Sequence, residues 1–143
     1  MFHIIDNIYL SNLRDAENYQ LINDNNIKIV IRLSEDENKS PYMNNIEFYN
    51  FEIEDNLLYK KELIDISEIV YQLIEDNKDK NILIHCNEGQ SRSVSVIIYY
   101  LIRKYEYDYF KSYDLIKNIK VDAKPNMAFQ KVLMSYSDYI LGI

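Results

Sequence analysis

The 143-residue chain is 48% apolar and 27% charged, with a formal charge of −7 and a pI of about 4.8. That is the make-up of one soluble globular domain spanning residues 1–143, long enough to bury a core, and its acidity argues against general affinity for nucleic acid or anionic membrane. No stretch approaches the ~20 apolar residues of a membrane span, no basic-then-apolar leader opens the chain, and one cysteine leaves no internal disulfide, which fits a reducing cytoplasm; the residues do not fix an oligomeric state, and a monomer is favoured.

Phe2 to Ile5 and Ile8 to Leu10 read as short strands around an Asp6-Asn7 turn. Leu13, Ala16, Tyr19 and Leu21-Ile22 recur at roughly helical spacing between Ser11 and Asn25, with Ser11 or Asn12 as N-cap. Ile27 to Leu33 is β-branched almost throughout and predicts a strand. Ser34 to Asn45 is polar, contains Pro41 and reads as a loop, after which Ile46 to Ile53 alternates as a strand that delivers Glu54-Asp55-Asn56 at its exit. From Lys60 to Asp76, Leu63, Ile66, Ile69-Val70 and Leu73-Ile74 mark a buried helical stripe. Lys78 to Asn81 then turns the chain into an apolar run beginning at Ile82.

That run, Ile82-Leu-Ile-His85-Cys86-Asn-Glu-Gly89-Gln-Ser91-Arg92-Ser93, is where chemistry concentrates. A buried strand empties into a tight loop holding one of only two glycines in the chain. If a helix opens at Arg92, the loop N–H groups and the helix N-terminus converge into an anion cradle. Cys86 at its floor would be held as a nucleophilic thiolate, and the planar fork of Arg92 would grip two phosphate oxygens. Pattern and cradle conflict over the next segment. Val94 to Ile102 is rich in β-branched and aromatic residues and scores as a strand, whereas the cradle needs helix N–H groups above it. A helix, apolar nearly all round and central, is therefore expected. Tyr107 to Lys120 and Pro125 to Leu141 predict two more, with Pro125 in the first turn of the last and Phe129, Val132-Leu133, Tyr136 and Ile140 on its buried face. The elements together predict an α/β fold, a central, mostly parallel, twisted sheet of about five strands flanked by helices, with the chemical loop between a strand end and the central helix.

The string His85-Cys86-x-x-Gly89-x-x-Arg92-Ser93 resembles the signature of cysteine-dependent protein tyrosine phosphatases. Gly89-Gln-Ser-Arg-Ser93 with Tyr100-Leu-Ile-Arg103 downstream is similar to the dual-specificity branch, in its small catalytic-domain-only form. The likeness extends to Ile8-Tyr9-Leu10-Ser11 as the opening strand, Ile27 to Leu33 as the second, and Pro125-Asn126…Phe129 as the entry to the terminal helix. It implies a tyrosine-phosphatase-like fold and phosphate-monoester hydrolysis through a phosphocysteine. The nucleophile is Cys86, and the phosphate is bound by the loop Asn87, Glu88, Gly89, Gln90, Ser91 and Arg92, chiefly through its N–H groups.

An acid must protonate the leaving oxygen. By position alone both Glu54 and Asp55, at a strand exit, are candidates. The family's acid is an aspartate on a loop before the long helix, and Asp55, 31 positions ahead of Cys86, fills that place. Strand alternation turns the His85 ring away from substrate, and the resemblance gives it a supporting role toward loop and thiolate. Ser93 would donate its hydroxyl to the departing thiolate in the second step. No metal or cofactor is implied, since one cysteine and two histidines lack zinc-ligand spacing.

The expected substrates are phosphotyrosine and phosphoserine or phosphothreonine proteins. Alternatives are an RNA 5′-triphosphatase or a phosphoinositide phosphatase, both of which favour basic residues in the loop, where Asn87, Glu88, Gln90 and Ser91 offer none. A third is a catalytically dead module that only binds phosphoproteins. Such relatives lose the cysteine, arginine or acid, and candidates for all three remain here.

Overall fold

The computed structural model describes residues 1–35 and 43–143. Phe2–Ile5 (β1) and Ile8–Ser11 (β2) form the expected hairpin, Ile27–Ser34 is β3, Glu47–Glu52 β4 and Asn81–His85 β5. The sheet order is β1-β2-β5-β3-β4, with only the β1/β2 pair antiparallel. This is the mostly parallel five-strand sheet the sequence predicts. β5 lies at its centre, between β2 and β3, so the strand that ends at His85 is walled on both sides.

Residues Ser11 to Asn25 do not make one helix. They divide into Leu13–Ala16 (α1), capped by the Asn12 side chain, and Tyr19–Asp24 (α2), capped by Asn18. Each cap oxygen accepts an N–H inside its own helix, so the second asparagine restarts the chain where a continuous helix would have run. Lys60–Asp76 (α3) follows a 3-10 turn at Leu57–Tyr59 and buries Leu63, Ile66, Val70 and Ile74, while Ile69 is exposed. Ser34 closes β3 rather than opening the predicted loop, and most of that loop, Pro41 included, lies outside the described residues.

Arg92–Tyr105 (α4) resolves the conflict at Val94–Ile102 in favour of a helix, and every residue from Arg92 to Ile102 is buried. Strand-forming residues make this helix because it is central. Packed on all sides, each fully buried Val, Ile or Leu contributes about 1.5–3 kcal/mol, against propensity differences of only a few tenths. Tyr109–Ile119 (α5) starts two residues later than expected, at the Asp108 cap. Met127–Leu141 (α6) is capped by Asn126, so Pro125 precedes the helix rather than occupying its first turn.

Alternation along β5 sorts its side chains between two cores. Ile82, Ile84 and Cys86 belong to the large one shared with α3, α4 and α6; Leu83 belongs to a smaller one with Ala16, Ile22, Val30 and Met43. Among the described residues no helix is long and apolar enough to cross a membrane.

Candidate functional site

The strand β5 ends at His85, and α4 begins seven positions later at Arg92. Between them the Cys86 sulfur, 3% exposed, accepts the Gly89 N–H at 3.3 Å and lies 3.1 Å from Ser93 Oγ. Gly89 has φ +72°, a left-handed conformation that a side chain resists. Any Cβ there would meet the Ser11 carbonyl oxygen at 2.9 Å and Lys120 Cε at 3.2 Å. Glycine is therefore demanded twice, by backbone angle and by space. Asn87 anchors the loop to the opposite helix layer through Leu13 N–H to its carbonyl, 2.9 Å. On the outer side, Lys124 N–H reaches the Gln90 carbonyl at 2.7 Å, and Gln90 Nε2 donates to Asp122, which also pairs with Lys120. Glu88 and Gln90 are exposed, Asn87 is half-buried, and Gly89, Ser91, Arg92 and Ser93 are buried.

Ser91 stands at the N-cap of α4 yet makes no capping bond with its side chain. Its hydroxyl instead donates to Asp55 Oδ1 at 2.6 Å and accepts the Asn126 N–H at 2.9 Å. The first N–H groups of α4 thus have no side-chain cap from their own residue, which suits an anion at that end.

Arg92, 6% exposed, uses Nη1 for an ion pair with Glu35 and a 3.1 Å bond to the Ile53 carbonyl. That fixes the guanidinium by one edge, and among the described residues Nε and Nη2 are left as a fork. Glu35's own backbone N–H and the Arg92 guanidinium hold its carboxyl below the usual range.

Asp55 reaches the loop from the far side. Oδ1 takes both the Ser91 hydroxyl and Asn126 Nδ2, the latter at 2.8 Å, so Oδ2 is the oxygen left to carry a proton. Its neighbour Glu54 faces elsewhere, toward the Tyr59 hydroxyl, whose pKa that contact raises. The two acidic candidates at the strand exit are therefore distinguished by geometry, and Asp55 is the one tied to the loop.

His85 is buried on the opposite face of the sheet, with Nδ1 3.2 Å from the Cys86 carbonyl. It sits in register between Ser11 on β2 and Arg32 on β3. Burial first, then the Arg32 charge, push its pKa down to about 4 against the lesser opposing pull of the Cys86 carbonyl, so near neutral pH the ring is uncharged and its N–H is available to that carbonyl.

The structure thus brings Cys86, Ser93, Gly89, Ser91, Arg92 and Asp55 around one loop and sets His85 behind it. Three contributors escaped the sequence reading. Glu35 pairs with Arg92 across 57 positions and Asn126 holds Asp55 across 71. Lys120, 6% exposed, packs over Gly89. Only Asn126 left a trace, as the N-cap pattern ahead of a helix. A sulfur, an N–H-lined turn at a helix start, a half-free guanidinium and a carboxyl with one open oxygen can together accept a phosphoryl group and protonate what leaves.

The family model for the dual specificity phosphatase catalytic domain matches residues 8–139. Human protein phosphatase Slingshot homolog 2 is 26% identical over 145 residues, covering 97% of this chain and 10% of the relative. Dual specificity protein phosphatase 22 of Xenopus laevis is 26% identical over 142 residues, 95% of this chain and 64% of the relative. The chain therefore spans a tenth of one curated relative and under two thirds of the other. The crystal structure of human DUSP28 superposes with a TM-score of 0.84 at 17% identity, over 99% of both chains, a likeness of fold. The chain belongs to the dual specificity phosphatase catalytic-domain family.

Proposed function

We propose that this protein hydrolyses phosphate monoesters on phosphotyrosine and phosphoserine or phosphothreonine proteins through a phosphocysteine. The observation that carries the reading is the Cys86 sulfur, held between the Gly89 N–H and the Ser93 hydroxyl at the start of α4. N–H groups and a helix N-terminus favour the anionic, nucleophilic sulfur.

In the first step Cys86 Sγ attacks phosphorus. The bond from phosphorus to the ester oxygen breaks with its electron pair on oxygen, which takes the proton from Asp55 Oδ2. The equatorial oxygens are held by the N–H groups of Asn87 to Arg92 and by the Arg92 fork. In the second step water attacks phosphorus and gives its proton to Asp55. The S–P bond breaks with its electrons on sulfur, and the Ser93 hydroxyl 3.1 Å away donates to the departing thiolate. His85 acts through the Cys86 carbonyl and stays out of proton transfer.

Cys86→Ser tests this directly. Turnover of phosphopeptides should vanish while phosphopeptide binding survives, because the loop and Arg92 remain. Appreciable turnover by this variant refutes the covalent route. Initial rates on phosphotyrosine and phosphothreonine peptides, a phosphoinositide and triphosphorylated RNA test the substrate class, with the peptides expected to lead.

A further inference from the structure

Beside the site lies a groove of about 700 Å³, walled by Asn56, Leu57 and Lys60 on one side and by Met127, Lys131 and Val132 of α6 on the other. That volume is in the range of a ligand pocket. Met127 and Lys131 are one helical turn apart and so share a face of α6. Val132, expected on the buried face of this helix, is half-buried on the groove wall instead. Leu57 is 63% and Met127 70% exposed, so large apolar groups stand in solvent on both walls.

Both charged side chains that line the groove, Lys60 and Lys131, are basic. The chain has 23 acidic against 16 basic residues, and Lys61, Lys80, Lys104 and Lys120 each pair with a carboxylate. Lys60 and Lys131 are exposed and form no ion pair among the described residues. Two uncompensated lysines on an apolar groove of an acidic protein select an acidic partner. The groove is also continuous with the site, since Asn126 lines its end while donating to Asp55 Oδ1 and to Ser91 Oγ. An extended peptide advances about 3.3 Å per residue, so a few residues beyond a phosphoester seated over Cys86 suffice to enter it.

We infer that this groove takes the polypeptide flanking the phosphorylated residue, holding an aliphatic side chain between Leu57 and Met127 and an acidic residue beside Lys60 and Lys131. The inference names the sequence preference of the proposed phosphatase and rests on that reading. A small aryl phosphate cannot reach the groove, which separates selection from chemistry.

The test compares kcat/KM for phosphotyrosine peptides carrying leucine with glutamates, or serine with lysines, on either side of the phosphoresidue, alongside p-nitrophenyl phosphate. The wild type should prefer the leucine–glutamate peptides by about tenfold, the scale of a few rim contacts. Lys60→Glu with Lys131→Glu, both exposed and free to fold, should erase or reverse the charge preference. Met127→Ser should erase the leucine preference. Rates on p-nitrophenyl phosphate should stay within about twofold. Equal rates on all peptides, or a preference that survives the double reversal, overturns the groove. A double reversal that changes the sedimentation of the protein instead of its peptide ranking assigns the groove to a second copy and overturns it equally. Failure of the wild type on every phosphoester overturns the enzymatic reading alone, because dissociation constants of the same peptides for Cys86→Ser still read the groove.

Discussion

The loop that carries the proposed nucleophile and the carboxylate proposed as its acid are built by different means. From His85 to Ser93 every contributor is consecutive in sequence, and the flanking elements, β5 and α4, are almost wholly buried. Asp55 is exposed, 31 positions upstream, and two side-chain partners, Ser91 and Asn126, hold its carboxylate. One half is fixed by the interior, the other by a few surface hydrogen bonds, each worth about 0.5–1.5 kcal/mol net. The nucleophile side should therefore fail as a unit for every substrate, and the acid side should fail by degrees, substrate by substrate.

The largest effect should come from breaking the loop itself. Gly89→Ala puts a Cβ 2.9 Å from the Ser11 carbonyl at a left-handed φ, so the loop must shift. Losing the aim of its N–H groups should cost about 10²–10³-fold in kcat on phosphopeptides and aryl phosphates alike. Near-normal rates with alanine would mean that the loop is softer than its packing implies.

Asp55→Asn should separate the halves. Turnover of a phosphoserine peptide, whose alkoxide leaves poorly, should fall about 10²-fold and lose the alkaline limb of its pH profile. An activated aryl phosphate should lose far less, and Glu54→Gln should do little to either. The opposite ranking would move the acid to Glu54.

His85 probes the buried half through pH. Its folded pKa is about 4, below the unfolded value near 6.5, so the unfolded chain alone takes up the proton as pH falls through that window. Stability present above pH 6.5 should decline by on the order of 3 kcal/mol on going down to pH 4. Urea midpoints of the wild type should show this decline, and those of His85→Gln should be flatter over the same range.

The smallest effect belongs to the surface tether. Asn126→Ala removes one of two donors to Asp55 and the N-cap of α6. It should lower phosphoserine-peptide turnover by about tenfold and stability by about 1 kcal/mol, with aryl phosphate turnover nearly unchanged. Equal losses on both substrates would show that the tether serves the whole site.

The same division explains what could be read in advance. The loop was legible because it is contiguous. Cys86, Gly89, Arg92 and Ser93 stand in one register, and the requirement for helix N–H groups above an anion outweighed the β-rich spelling of Val94 to Ile102. α3 and the sheet were legible from their periods. Glu35 and Lys120 were not, because their meaning lies in contacts spanning 57 and about thirty positions, which no local pattern encodes; Asn126 showed only as a helix entry, and its bond to Asp55 across 71 positions did not. The break between α1 and α2 was missed for a different reason. Asn18 works as a cap, but a helical spacing that runs through it hides the restart.

Asn126 divides its amide between two duties. Oδ1 accepts the Phe129 N–H and starts α6, while Nδ2 holds Asp55. α6 and the proposed proton donor are therefore mechanically joined at one side chain. Whenever α6 undocks in a local opening of the fold, the carboxylate loses one of its two donors, keeping only the Ser91 hydroxyl, while the sulfur stays seated in its interior loop. A population of molecules with α6 undocked would still consume aryl phosphates but process serine esters poorly. The ratio of those two rates, followed with rising temperature, would then serve as a gauge of helix docking, falling before any spectroscopic sign that the sheet has melted.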